Sequence, residues 1–87
     1  MEELPVTQGG VVMSQYKIML RPDEVKDFVA AASRCEFEID ICYNHYTVDA
    51  KSLVGVLGLD LSRILTVTCH GYDEEFDRTL KTFAIAG

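Results

Sequence analysis

The chain has 87 residues and a net charge of −6, and 48 % of its residues are hydrophobic. This length allows one small domain with one core, and the hydrophobic fraction excludes a disordered chain. Because the longest apolar runs are only a few residues and no signal sequence is visible, we expect no transmembrane span and a cytoplasmic protein. An acidic chain without a cluster of Lys and Arg also argues against nucleic acid and anionic membranes as partners.

The three cysteines, Cys35, Cys42 and Cys69, form no paired spacing, which argues for a reducing compartment and against a disulfide framework. We expect Cys35 and Cys69 to be core residues. A metal site is not expected, because the chain has no C-x-x-C motif and the neighbours Cys69 and His70 point to opposite faces of a strand. No cofactor-binding motif is present. His45 lies in a predicted turn, where we expect an exposed side chain.

Residues 1–10 contain a proline and a Gly-Gly pair without periodicity, and we interpret them as a flexible leader before a single domain of residues 11–87. Residues 11–18 suit a strand.

Residues 22–34 are predicted to form an amphipathic helix, because apolar residues recur there at helical spacing. The apolar stripe of this helix consists of Val25, Phe28, Val29, Ala32 and Cys35.

A β-hairpin follows, because residues 37–43 and residues 46–50 both alternate between apolar and polar side chains. Asn44 and His45 stand between the two strands as its turn. A short helix comes next, with Ser52 at the position where an N-cap belongs.

Residues 65–70 alternate as a further strand, and residues 73–86 carry apolar side chains at helical spacing, which predicts a final helix. The predicted order is therefore β-α-β-β-α-β-α. Because every strand after the first has one apolar and one polar face, helices should cover the sheet on one side only. We predict an α+β fold, an open-faced two-layer β-sandwich in which three helices cover one face of a four-stranded antiparallel sheet.

This element order and the segment "DAKSLVGVLGL", residues 49–59, resemble HPr, the small phosphocarrier family of the bacterial sugar phosphotransferase system. The resemblance covers residues 11–86. Family members carry Asn-x-Lys-Ser-hydrophobic-hydrophobic-Gly-Val at the start of their short second helix, and this chain has the same run with Asp49 in place of Asn. Phe28 and Val29 match the apolar pair in the first helix of the family.

The resemblance implies a function for the short helix. In this family it is a docking surface for partner proteins, and in Gram-positive members the serine at its start is a target of regulatory phosphorylation. By resemblance, Ser52 is a regulatory phosphorylation site, and Leu53, Val54 and Leu57 form the partner-binding patch together with Arg21. The glycines inside the helix would let a partner approach its backbone. The implied partners are phosphotransferase-system or carbon-regulation proteins, and we expect a monomer or a weak homodimer.

The phosphoryl-accepting histidine of the family lies in Gly-Leu-His-Ala-Arg-Pro, where this chain has "IMLRPDEV". An ungapped register places Arg21 at the histidine position, and a register shifted by two residues places Met19 there. Neither side chain forms a labile phosphoramidate, because arginine stays protonated and methionine lacks the nucleophile. Asp23 and Glu24 would also repel a phosphate at the helix start. We therefore expect no catalytic residue and no phosphocarrier activity.

Three interpretations stay open at this point. The first is a non-enzymatic, HPr-like protein with a regulatory docking role. The second is a divergent phosphocarrier that uses a displaced histidine, His70, which we expect on the polar face of the sheet near Glu38 or Asp40. The third is a paralogue that serves only in assembly.

Overall fold

The computed structural model describes the backbone of residues 6–8 and 11–84 and the side chains of residues 13–84. Within these residues a five-stranded antiparallel sheet has the strand order β1-β2-β5-β3-β4. The elements are β1 (Val6–Gln8), β2 (Val11–Ile18), α1 (Val25–Ser33), β3 (Ile39–Tyr43), β4 (Tyr46–Asp49), α2 (Leu53–Leu57), β5 (Leu65–Cys69) and α3 (Glu74–Phe83). The predicted open-faced α+β sandwich is confirmed, because three helices lie on one face of the four strands β2, β5, β3 and β4. None of the described helices is long and apolar enough to cross a membrane.

The structure differs from the sequence prediction at β1, which falls inside the predicted leader of residues 1–10. Val6 lies opposite Met13 and Gln8 lies opposite Val11, so β1 extends the sheet beyond the four predicted strands. Val6 and Thr7 are β-branched and favour this extended conformation, but the strand is too short to show a period in the sequence. The other residues of the predicted leader, 1–5 and 9–10, lie outside the described residues.

The central strand β5 determines which face of the sheet is buried. Its residues Leu65, Val67 and Cys69 are buried, whereas Thr66 and Thr68 between them face the open side. Because residues paired across antiparallel strands point to the same face, β2 and β3 follow the same alternation. The buried pairs are Leu65–Ile18, Val67–Ile41 and Cys69–Ile39.

The hairpin of β3 and β4 forms as predicted, with Asn44 and His45 between Tyr43 and Tyr46. Asn44 has a φ of 56°, in the left-handed region that such two-residue turns require. Asparagine tolerates this conformation better than most residues, which explains its place in the turn.

The first helix is preceded by a 3-10 turn, Pro22–Glu24, and the regular α1 begins only at Val25. The predicted helix at residues 22–34 therefore exists, but its first turn is tighter than an α-helix.

The last helix, α3, is capped by Asp73, whose Oδ1 accepts the Phe76 amide at 2.8 Å. It ends before the predicted boundary, because Ala84 is extended and forms a β-bridge with Ile18. The predicted helical residues 85 and 86 lie outside the described residues.

A hydrogen bond fastens α3 to the sheet. The Tyr16 hydroxyl donates to Asp77 Oδ1 at 2.5 Å, and Lys81 Nζ lies 3.2 Å from Asp77 Oδ2. Burial and the hydrogen bond to the neighbouring carboxylate raise the pKa of Tyr16 far above its usual value. The phenol is therefore protonated at every ordinary pH, and it remains a donor to Asp77.

The side chain of Phe28 fills the middle of the core between the helices. It is fully buried, and its ring centroid lies 6.2 Å from that of Phe76 and 6.5 Å from that of Phe83. These separations are within the range of favourable aromatic pairs. One side chain of α1 thus contacts two rings near the opposite ends of α3.

Replacement of Phe28 by alanine should lower the free energy of unfolding by about 3 to 5 kcal/mol, because it removes a buried ring and leaves a cavity between α1 and α3. Chemical denaturation followed by circular dichroism measures this loss. Val54→Ala is the control, since Val54 is 82 % exposed and its truncation should change stability by less than about 0.5 kcal/mol. A loss below about 1 kcal/mol for Phe28→Ala would contradict the packing of Phe28 between α1 and α3.

Candidate functional site

The helix α2 begins at Ser52, as the sequence predicts. Ser52 has an extended backbone, and its Oγ accepts a hydrogen bond of 3.1 Å from the amide of Gly55. The carbonyl oxygen of Ser52 accepts the first bond of the helix from Val56 at 3.0 Å. Ser52 is therefore a genuine N-cap, which satisfies amide groups that the helix itself leaves unpaired.

Three apolar side chains of α2 face solvent. Leu53 is 42 % exposed, Val54 is 82 % exposed and Leu57 is 49 % exposed, whereas Val56 of the same helix is fully buried. Leu59, just after the helix, packs against the core. The helix is therefore anchored by Val56 and Leu59, and Leu53, Val54 and Leu57 form an apolar surface that we call the α2 patch.

Gly55 serves the packing of the helix itself. A Cβ atom at this position would lie 3.1 Å from Ser52 Oγ and 3.3 Å from Val48 Cβ, closer than nearly all real contacts of this kind. The residue thus lets α2 sit close to β4 beneath its own N-cap. The expectation that the glycines of α2 let a partner approach its backbone stays a prediction.

The start of α1 is occupied by carboxylates. The backbone N–H of Arg21 donates to Glu24 Oε1 at 2.9 Å, and the N–H of Glu24 donates to the Arg21 carbonyl at 2.8 Å. Arg21 Nε also lies 3.5 Å from Asp23 Oδ1, in a pair so exposed that it contributes little to stability. The Glu24 carboxylate thus accepts the backbone amide of Arg21, which is one half of a capping box, whereas the Glu24 amide closes the 3-10 turn on the Arg21 carbonyl.

A shallow groove joins the start of α1 to the chain after α2. The two residues considered for the histidine position, Met19 and Arg21, both lie in it. Its mouth is mainly apolar, and the amide of Met19 is fixed by a hydrogen bond of 3.2 Å to the Phe83 carbonyl. The residues that line the groove are Met19, Leu20, Arg21, Pro22, Glu24, Leu61 and Ser62.

The two histidines lie away from this groove. His70 Nε2 lies 3.1 Å from Asp40 Oδ2, and the His70 amide donates to the Glu38 carbonyl at 2.9 Å. The predicted position of His70 beside Asp40 is thus confirmed. His70 follows the inward-facing Cys69, so it belongs to the open face of the sheet, opposite the helices. His45 is exposed in the hairpin turn, as predicted.

The cysteines behave as core residues. Cys35 and Cys69 are buried, and burial raises the pKa of both thiols, that of Cys69 to about 12. Both are therefore protonated and poor nucleophiles near neutral pH. Cys42 is half-buried on the open face. Among the described residues, no three side chains of His, Cys, Asp or Glu are arranged to hold a metal ion.

The structure adds one contact at this site that sequence reasoning missed. Lys51 Nζ donates a hydrogen bond of 2.8 Å to the carbonyl oxygen of Cys35, directly after α1. The sequence offers one indirect signal, because the last turn of α1 lacks a basic residue to complement its dipole. Only the packing of α1 against α2 shows that Lys51 is the cation at the end of α1.

The fold and the sequence together define one class of protein. Residues 17–83 match the family described as "PTS HPr component phosphorylation site", and the chain belongs to this PTS-HPr family. Among solved structures, the chain is similar to a phosphocarrier protein HPr from Bacillus anthracis str. Ames, with 26 % sequence identity and a TM-score of 0.64. The match covers 88 % of this chain and 100 % of that one. A comparison with curated protein sequences found no match.

Replacement of Ser52 by alanine should lower the free energy of unfolding by about 1 kcal/mol, because the amide of Gly55 loses its acceptor. Thermal or chemical denaturation measures this change. Ser33→Ala is the matched control, since Ser33 is exposed at the end of α1 and alanine suits a helix. Equal stability of the Ser52→Ala variant and the wild type would contradict the N-cap.

Proposed function

We propose that this member of the HPr family is a non-enzymatic, cytoplasmic regulatory protein that docks other proteins and has lost phosphocarrier activity. The observation that carries this proposal is the start of α1, where the Arg21 amide is held by the carboxylate of Glu24. Asp23 Oδ1 also lies 3.5 Å from Arg21 Nε. Two carboxylates thus lie next to the positions considered for the imidazole, where a carrier of this family would need room for an anion.

The chemistry of Arg21 and Met19 supports the loss of phosphocarrier activity. A reversible carrier needs a nucleophile whose phosphoryl adduct is labile, and an imidazole meets this need. The guanidinium of Arg21 is permanently protonated, and the thioether of Met19 has no exchangeable proton. A phosphoryl group near α1 would also lie close to Asp23 and Glu24, and like charges at short range in this position oppose its transfer.

The α2 patch supports the docking role. A soluble protein rarely keeps contiguous apolar side chains exposed on one short helix without a binding use. In the proposal, Leu53, Val54 and Leu57 contact partner proteins and Arg21 contributes a charge at the neighbouring groove. The partners belong to the phosphotransferase system or to carbon-source regulation, and the protein itself is a monomer or a weak homodimer.

Regulation by phosphorylation at Ser52 is part of the same proposal. A phosphate on Ser52 Oγ would stand beside the free amides at the start of α2, which favour an anion. The fold should therefore tolerate the modification. Two additional negative charges beside the α2 patch would repel acidic partners and attract those that present arginine.

The protein should take up no acid-labile phosphate from phosphoenolpyruvate when it is incubated with the upstream kinase of the system, enzyme I. The reason is the absence of an imidazole at Met19 and Arg21 and the presence of two carboxylates beside them. Radiolabelled phosphoenolpyruvate followed by gel autoradiography measures the uptake. The Bacillus anthracis HPr serves as the positive control in the same reaction.

The histidine variants make this experiment decisive. Acid-labile labelling that is lost in His70→Ala but kept in His45→Ala would contradict the proposal and favour a phosphocarrier that uses the displaced histidine. Labelling that survives both substitutions would place the acceptor at another side chain. Either result would show that phosphocarrier activity has been retained.

Substitution in the α2 patch should reduce the recovery of docked proteins from the native cytosol. We expect Leu53→Ser to weaken capture at least about tenfold, since apolar anchors contribute most of the energy of such contacts. Ser52→Asp should change which proteins are recovered rather than abolish capture. Quantitative mass spectrometry of immobilised wild type and variants measures both effects.

Tyr46→Ser is the control for an exposed apolar residue outside the patch, since Tyr46 is 67 % exposed on β4. Its recovery profile should equal that of the wild type. If wild type, Leu53→Ser and Ser52→Asp recover the same proteins in equal amounts, α2 is not the docking surface.

A further inference from the structure

We propose that Lys51 is a positioning residue for α2 and that its ammonium group ties the start of this helix to the end of α1. Lys51 Nζ donates a hydrogen bond of 2.8 Å to the Cys35 carbonyl, from a side chain that is partly buried. The use of α2 for docking rests on the proposed function, whereas the positioning rests on these contacts alone.

The end of α1 explains why a cation lies here. The helix has acidic residues near its start and no basic residue in its last turn, and its C-cap residue, Arg34, is exposed. Cys35 follows directly, with its amide bound to the Ala32 carbonyl at 3.1 Å. The negative end of the helix dipole therefore meets a lysine from another segment, and a hydrogen bond from a charged donor is stronger than one from a neutral donor.

The backbone beside Lys51 is held at the same time. Its amide donates to Asp49 Oδ1 at 2.9 Å, and the amide of Ser52 donates to the Asp49 carbonyl at 2.9 Å. Ala50 is fully buried, and its amide donates to the Ile39 carbonyl. The chain from β4 to Ser52 therefore has little freedom, and the Lys51 side chain directs it toward α1.

Two further restraints act on α2 beside its anchors Val56 and Leu59. Lys51 joins the start of α2 to α1, and Gly55 allows the helix to lie close against Val48 of β4. The Lys51 ammonium group contacts the Cys35 carbonyl instead of projecting into solvent. Lys51 therefore affects the α2 patch through the position of the helix.

The test is amide hydrogen exchange of the free protein, measured by NMR. Lys51→Met keeps the aliphatic stem and removes the donor, and it should speed the exchange of the Val56 and Gly58 amides by roughly tenfold. The amide of Val67 in β5 should keep its wild-type rate. Lys51→Arg should restore protection, because it keeps a cationic donor. Lys26→Met, at an exposed position of α1, is the control and should change none of these rates.

Two results would overturn the proposal. Unchanged exchange at Val56 and Gly58 in Lys51→Met would mean that the contact does not hold the helix. An equal increase at Val67 would mean that Lys51 contributes only to global stability. If Lys51→Met does not fold, Lys51→Gln against Lys51→Arg gives the same comparison. Because no partner is present in this experiment, its outcome is independent of whether the protein docks other proteins.

Discussion

The rest of the molecule depends on one constraint, which is the burial of the side chains that the central strand β5 turns toward the helices. Leu65, Val67 and Cys69 must be kept from water by a single layer of helices, because only one face of the sheet is covered. Phe28 meets this need by contacting α3 at both Phe76 and Phe83. The positions of α1 and α3 follow from this contact, and the short α2 fills the space that remains beside α1.

This arrangement separates the surfaces that are available for function. The groove at the start of α1 and the α2 patch both belong to the helical layer, whereas His70 and Asp40 lie on the open face of the sheet. Neither His45 nor His70 is among the residues that line the groove containing Arg21. The fold of the HPr family is thus retained, and the α2 patch is exposed on its helical layer.

Local signals in the sequence were sufficient for most of the fold. The alternation in β3 and β5 could be predicted because one side of each strand is buried, and Ser52 could be predicted because an N-cap depends on its immediate neighbours. β1 was missed because three residues are too few to show a period and their pairing is visible only in the sheet. The contact of Lys51 with Cys35 and the packing of Gly55 against Val48 join separate elements, so they depend on tertiary structure that no local pattern contains.

The strand β4 lies at the edge of the sheet and has only four residues. It ends in Asp49, which is exposed and lies directly opposite Asp40 of β3. Two like charges at this place cost some stability in the hairpin. Asp49 also places negative charge beside the open backbone of the edge, where a strand from another molecule would have to pair. The hairpin therefore resists edge-to-edge aggregation, which a small protein with an uncovered sheet face must avoid.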